Sequence, residues 1–301
     1  MRALALFVPL AALAGCYGLM PETPTPETAP DPATLRAQIE TAAARVPEAT
    51  VMVAVRDGDF AFDLRAQRDV HAASTMKVPV MIEAFRQVEA GRLAWDDPVP
   101  VVNAFRSIVD GSPFAIEDDS DDALYAHLGG TLPLADLTRR AITTSSNLAT
   151  NLMMEVLTAD SVQATTDALG GAGVRVLRGV EDIKAYEAGL SNRATAAGLA
   201  SLLLAIQEGR AVSPEASRAM VEILLAQEFG EMIPAGLPSG VRAAHKTGWI
   251  TRVHHDAAIV YPPGAAPYVL VILTEGVEDH GRAAALGAEI ARVVHRALRG
   301  T

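Results

Sequence analysis

Strand-forming runs lie at the two ends of this chain, and a helical middle separates them. Near the front, residues 50–56 and 60–66 are apolar and rich in β-branched and aromatic side chains. Asp57-Gly58 joins them, a dipeptide suited to a tight hairpin. Helical spacing precedes them at 35–46. Near the back, residues 240–249, 256–261 and 268–275 read as strands, the last two divided by Pro262-Pro263-Gly264. A closing helix over 281–298 follows from apolar residues at Leu286, Ile290, Val293, Val294 and Leu298. Helical patterns fill 134–157, 194–207 and 214–227. No internal repeat is visible. The two ends therefore read as one helix-and-sheet unit, 34–68 with 228–301, and residues 69–227 as a mostly helical unit inserted into it.

Residues 1–16, MRALALFVPLAALAGC, carry a basic start and an apolar run too short to span a membrane comfortably. Residues 1–15 are expected to be a signal peptide. Leu13-Ala14-Gly15-Cys16 resembles the lipobox of bacterial lipoproteins, which implies lipidation at Cys16, export and a membrane anchor at the cell envelope. Cys16 is the only cysteine, so an internal disulfide and a cysteine-based metal cluster are both excluded. Residues 16–33, rich in Pro, Glu and Thr, cannot bury a core and read as an extended tether. The net charge of -11 argues against a nucleic-acid partner, because phosphate binding needs a basic face.

Within the insert, Ser74-Thr75-Met76-Lys77 opens an amphipathic run to Gly91. Positions three apart share a helix face, so Ser74 and Lys77 are expected to point into one cleft. A serine hydroxyl needs a base to become a nucleophile. A desolvated, neutral lysine can serve and an arginine cannot. Of 25 basic residues only Lys77, Lys184 and Lys246 are lysines, and two of these fall in motifs. Pro79 has no N–H for the Thr75 carbonyl, so this helix must bend or start late.

Ser74-Thr75-Met76-Lys77, then Ser145-Ser146-Asn147, then Lys246-Thr247-Gly248 occur in order. Each is weak alone; Ser-x-x-Lys arises by chance with probability roughly 0.1 in such a composition. Together they resemble the three motifs of the active-site serine penicillin-recognising enzymes, and within these the class A β-lactamase branch. The resemblance runs from about residue 35 to 298. It implies an α+β fold of the β-lactamase/transpeptidase type, with an antiparallel sheet flanked by N- and C-terminal helices and an inserted all-helical subdomain. It also implies a serine hydrolase that opens a β-lactam through an acyl-Ser74 intermediate. A D-alanyl-D-alanine peptidase acting on peptidoglycan stems, or a non-turnover penicillin sensor, stands as the alternative.

The residues suit acyl transfer, which needs a nucleophile, a base, oxyanion donors and an acid for the leaving nitrogen. Ser74 is the nucleophile and Lys77 the first candidate base. Ser145 relays a proton to the leaving amine. Asn147 binds an acylamino side chain, Lys246 a substrate carboxylate, and Thr247 offers a hydroxyl. The resemblance implies oxyanion donors at the backbone N–H of Ser74 and of Trp249, which follows Gly248. Such donors are often worth about 3 kcal/mol each. No cofactor or metal is expected, and a monomer is.

Two departures from the class A pattern stand out. The middle motif is usually Ser-Asp-Asn, and here Ser146 takes the second place. The deacylating glutamate usually follows an arginine as Arg-x-Glu in an omega-shaped loop. Here Arg178-Gly179-Val180-Glu181 is one residue longer; Glu181 is the leading choice and Glu187 its rival. The partner carboxylate expected for Arg178 falls near Asn192, which has no charge. Residues 170–192 form a long connection of the kind that is usually functional. The acidic run 117–122 lacks the ligand spacing of a calcium loop and reads as solvated. His254-His255-Asp256 on a strand would point neighbouring imidazoles to opposite faces, which disfavours a shared zinc ion.

Overall fold

A computed structural model describes residues 29–300 of the chain. Cys16, the expected signal peptide and most of the expected tether lie outside the described residues. Helix α1 (Pro32–Ala43) begins at Asp31, whose carboxylate accepts the Ala33 and Thr34 amides. Strands β1 (Thr50–Asp57) and β2 (Phe60–Leu64) form the hairpin expected at Asp57-Gly58, with Gly58 at φ 53°. Strands β3 (Arg242–Ile250), β4 (Val253–Tyr261) and β5 (Tyr268–Glu275) complete an antiparallel sheet in the order β2-β1-β5-β4-β3. The last strand therefore lies between the first and the fourth.

Both faces of this sheet are covered, which is why its strands read as apolar runs rather than clean alternations. Val51, Val53 and Val55 face one way, with Leu270 and Ile272. They pack on Leu35 and Ile39 of α1 and on Leu286, Ile290 and Val294 of the closing helix. Met52 and Ala54 face the other way, with Val269, Val271 and Leu273, toward the helical part. That part comprises α2 (Lys77–Glu89), α3 (Leu134–Thr143), α4 (Asn147–Leu157), α5 (Ala159–Ala168), α6 (Ile183–Glu187), α7 (Ala196–Gln207) and α8 (Pro214–Leu225). A short α9 (Ile233–Gly236) precedes β3, and α10 (His280–Arg299) closes the chain. The α+β architecture expected from the sequence is the observed one.

Two local differences shape the site. The helical pattern over 134–157 is not one helix. It breaks after Thr143, passes through Ser145 at φ 59°, and restarts at Asn147 with Ser146 as its cap, the Ser146 hydroxyl accepting the Ala149 amide. Apolar spacing alone could not show that break. The Ser74 segment is a 3-10 turn, Ala73–Met76, and the α-helix starts only at Lys77. Pro79 is then third in the helix, where an amide has no intrahelical partner anyway, so the late start removes the conflict.

Candidate active site

Four segments converge: the Ser74 turn, the break before α4, strand β3, and the connection 170–192. The short pair of Val70–His71 with Arg193–Ala194 ties the approach to Ser74 to the end of that connection. Gly248 brings β3 against the Ser74 turn. A methyl group at Gly248 would lie 2.7 Å from the Ser74 nitrogen and 2.9 Å from that of Thr75. Only a residue without a side chain allows this approach, so the glycine of the third motif sets the spacing between the strand and the Ser74 turn.

Lys77 is fully buried. Its Nζ donates to the Ser145 and Ser146 carbonyls, to Asn147 Oδ1 at 2.9 Å, and to Ser145 Oγ at 3.3 Å. Burial pushes its pKa down from the ordinary lysine value to about 7; the charges of Asp119 and then Glu181 oppose that shift. Lys246 is also fully buried and donates to Ser145 Oγ at 2.9 Å and to the Thr247 carbonyl at 2.8 Å. Burial, followed by the neighbouring charge of Lys77, holds Lys246 well below its ordinary pKa, with Asp256 opposing. The Ser145 hydroxyl therefore stands between two amines whose protons are loosely held. The strained backbone at Ser145 puts it there.

Asn147 links this centre to the connection. Its Nδ2 donates to Glu181 Oε1 at 2.6 Å and to the Asp118 carbonyl at 3.0 Å. Glu181 Oε2 accepts the Glu117 amide at 3.0 Å. A continuous path runs Lys77, Asn147, Glu181. Glu187 ends α6 exposed to solvent and takes no part in it. Trp249 is 59% exposed and its ring packs on His280, with centroids 5.4 Å apart. Thr247 is buried beside Lys246. The third lysine, Lys184, pairs elsewhere, with Asp110.

The base of the connection closes without the carboxylate that the class A pattern places there. Asn192 Oδ1 accepts the Leu177 and Arg178 amides, and its Nδ2 donates to the Arg178 carbonyl at 2.9 Å. Arg178 donates to the carbonyls of Leu190 and Gly179. The Asn192 amide thus ties the backbone of the two ends together, while carbonyls take the Arg178 guanidinium and the charge of Asp182 acts on it. Asn151, one turn into α4, brackets Val180 with both ends of its amide, at 2.7 and 3.0 Å. Gly179 is required there, because a methyl would meet Asn151 Oδ1 at 2.3 Å.

Sequence reasoning missed three parts. Residues 117–122 are not merely a solvated run. Asp121 is buried and takes Arg140 with both oxygens, at 2.8 and 2.7 Å. Asp119 accepts from the amides of Asn147 and Leu148. Asn151 carried no signal beyond its spacing of four from Asn147. His71 also escaped notice, and with it the bonding of His255, which the sequence offered only as a disfavoured metal ligand. His71 Nδ1 accepts the amide of Ala73, while His255 donates from Nε2 to the His71 carbonyl and accepts the Thr274 amide at Nδ1. Those bonds occupy both ring nitrogens of His255. Among the described residues no group of three His, Cys, Asp or Glu side chains is placed to hold an ion.

Residues 34–298 match the β-lactamase enzyme family. A β-lactamase of Streptomyces albus G is 33% identical over 176 residues, 56% of this chain and 55% of that protein. That match thus spans about half of the relative. β-Lactamase AST-1 of Nocardia asteroides is 27% identical over 84% of this chain and 83% of its own length. The crystal structure of a β-lactamase from Sphaerobacter thermophilus DSM 20745 superimposes with a TM-score of 0.76 at 27% identity, covering 91% of this chain and 99% of that one. With the fold, the order of the three motifs and the convergence of Lys77, Ser145 and Lys246 beside the Ser74 turn in agreement, the chain belongs to the β-lactamase enzyme family.

Proposed function

We propose that this protein is a serine hydrolase that opens the amide of a β-lactam through an ester on Ser74. The observation that carries the reading is the Ser145 hydroxyl set between two buried lysines, beside a serine turn pressed on Gly248. In acylation, neutral Lys77 takes the Ser74 hydroxyl proton as Oγ attacks the lactam carbonyl carbon. The backbone N–H groups of Ser74 and Trp249 receive the oxyanion. The lactam C–N bond then breaks, and the nitrogen takes its proton from Ser145, which is resupplied from the lysines. Lys246 and Thr247 bind the substrate carboxylate and Asn147 the acylamino side chain.

In deacylation, Glu181 takes a proton from water. The hydroxide attacks the ester, and Ser74 Oγ leaves with a proton. Two donors, Asn147 Nδ2 and the Glu117 amide, hold the Glu181 carboxylate on the site side of the connection, which supports Glu181 over Glu187. The two portions of chain, 34–68 with 228–301 and 69–227, act as one catalytic domain, working as a monomer. Lipidation at Cys16 would anchor it to the cell envelope; Cys16→Ser should then release it from the membrane fraction.

The test is labelling of the purified protein with a fluorescent penicillin together with turnover of a chromogenic cephalosporin. Wild type should label and turn over, and Ser74→Ala should do neither. Labelling of Ser74→Ala at the wild-type rate would remove the assignment. A wild-type adduct that persists for hours would put a peptidase or sensor in place of a β-lactamase.

A further inference from the structure

The second position of the middle motif lacks a carboxylate, yet the structure has one at that spot. Asp119 comes from a loop 27 positions upstream of Ser146. Its Oδ2 accepts the Leu148 amide at 2.8 Å, the Ser146 hydroxyl at 3.1 Å and the Tyr125 hydroxyl at 3.3 Å. Its Oδ1 accepts the Asn147 amide at 2.9 Å. Ser146 is buried, and its hydroxyl has one acceptor and one donor partner, Asp119 and the Ala149 amide. The same loop grips the other side of the break. Ser120 Oγ donates to the Thr144 carbonyl, and Asp121 accepts the Thr144 hydroxyl at 3.2 Å while pairing with Arg140. Ser145, at positive φ, is thus held between two clamped neighbours, with its hydroxyl and carbonyl turned to the lysines.

We infer that Asp119 is a positioning residue for acyl transfer, supplying from this loop the carboxylate that fixes Ser145 and Asn147 against Lys77 and Lys246. This rests on the reaction proposed above. Asp119 acts through geometry, because its oxygens meet the amides and hydroxyls of the motif and not a reacting atom. It also acts through charge. Asp119 and Glu181 are the charges acting on Lys77, Asp119 the larger of the two, and the buried amine of Lys246 faces Lys77 across the Ser145 hydroxyl. Removing it lets Lys77 lose its proton more readily.

The experiment measures penicillin acylation rate against pH for the full chain, for Asp119→Asn, and for the exchange variant Asp119→Ser with Ser146→Asp. The exchange returns one hydroxyl and one carboxylate to the same place in reversed order. Asp119→Asn should acylate about 10²-fold more slowly, the loss typical of a small misplacement of reacting groups. The acid limb of its rate profile should move to lower pH, which a purely structural loss would not do. The exchange variant should recover most of the rate. An Asp119→Asn protein with the wild-type rate and limb overturns the inference. So does a folded exchange variant at least as slow as Asp119→Asn. If Asp119→Asn fails to fold, the exchange variant decides: recovery supports the inference, and folding with acylation at least 10²-fold below wild type overturns it. A wild type that takes no label overturns the reaction and this inference together; a labelled wild type confines any failure to Asp119.

Discussion

At the scale of single residues, the candidate site holds two amines whose protons burial has loosened. Lys77 titrates near 7, so the fraction able to accept the Ser74 proton rises with pH through that value. Acylation rate should therefore climb between about pH 6 and 8 and level off above, as followed by stopped-flow labelling. Lys77→Arg should flatten the profile and slow acylation by about 10²–10⁴-fold, because a guanidinium stays protonated. Glu181→Gln should still acylate but hold its adduct, seen as added mass on the intact protein, while Glu187→Gln stays within a few-fold of wild type. If Glu187→Gln holds the adduct instead, the deacylating carboxylate is misassigned. Ser74, Lys77, Asn147 and Lys246 were legible because each sits in a motif of three or four consecutive positions. Asp119 was not: its partners are distant in sequence, and locally it is one acid among several. Asn192 was read only as the lack of a charge, because the hydrogen bonds an amide will make depend on which backbone is folded beside it.

At the scale of elements, two glycines record where backbone must approach backbone or amide. Gly179 lies in the run before Glu181, against Asn151 of α4. Gly179→Ala should push the connection off α4, at a cost of about 1–3 kcal/mol for forced packing. Its kinetic signature should be selective. Glu181 shifts while Ser74 and Lys77 keep their places, so deacylation should fall more than acylation and the adduct should accumulate in a quench-flow time course. Equal loss in both steps would show that the connection does not act through Glu181. The hairpin and the closing helix were legible from period and turn chemistry. The break at 144–146 was not, since Ala141, Leu148 and Leu152 keep helical spacing across it and only the tertiary clamp turns the chain there.

At the scale of the whole molecule, stability carries a histidine signature. Burial pushes His255 down to about 4, and His71 likewise, where Arg178 and Arg193 add to the effect. Both are neutral when folded, whereas in the unfolded chain they protonate near 6.5. Their contribution is complete above that value and is lost as pH falls from about 6.5 toward 4, on the order of 3 kcal/mol for His255 across the window. Thermal unfolding from pH 7.5 to 4.5 should show the melting temperature falling steadily. His255→Gln should start lower and fall less steeply. An equal slope in both proteins would mean that other groups carry the acid sensitivity.

The strand order has a further consequence, for how the chain is made. β1 and β2 are synthesised first, yet the inner edge of β1 waits for β5, which ends only at Glu275. During translation that edge has no native neighbour, and α1 lacks the α10 surface on which it rests. The nascent chain cannot settle into its native sheet while the ribosome still holds the last quarter, because so many of its contacts join distant parts of the sequence. The sheet can close only once its last strand has been made and is free to enter between the first and the fourth.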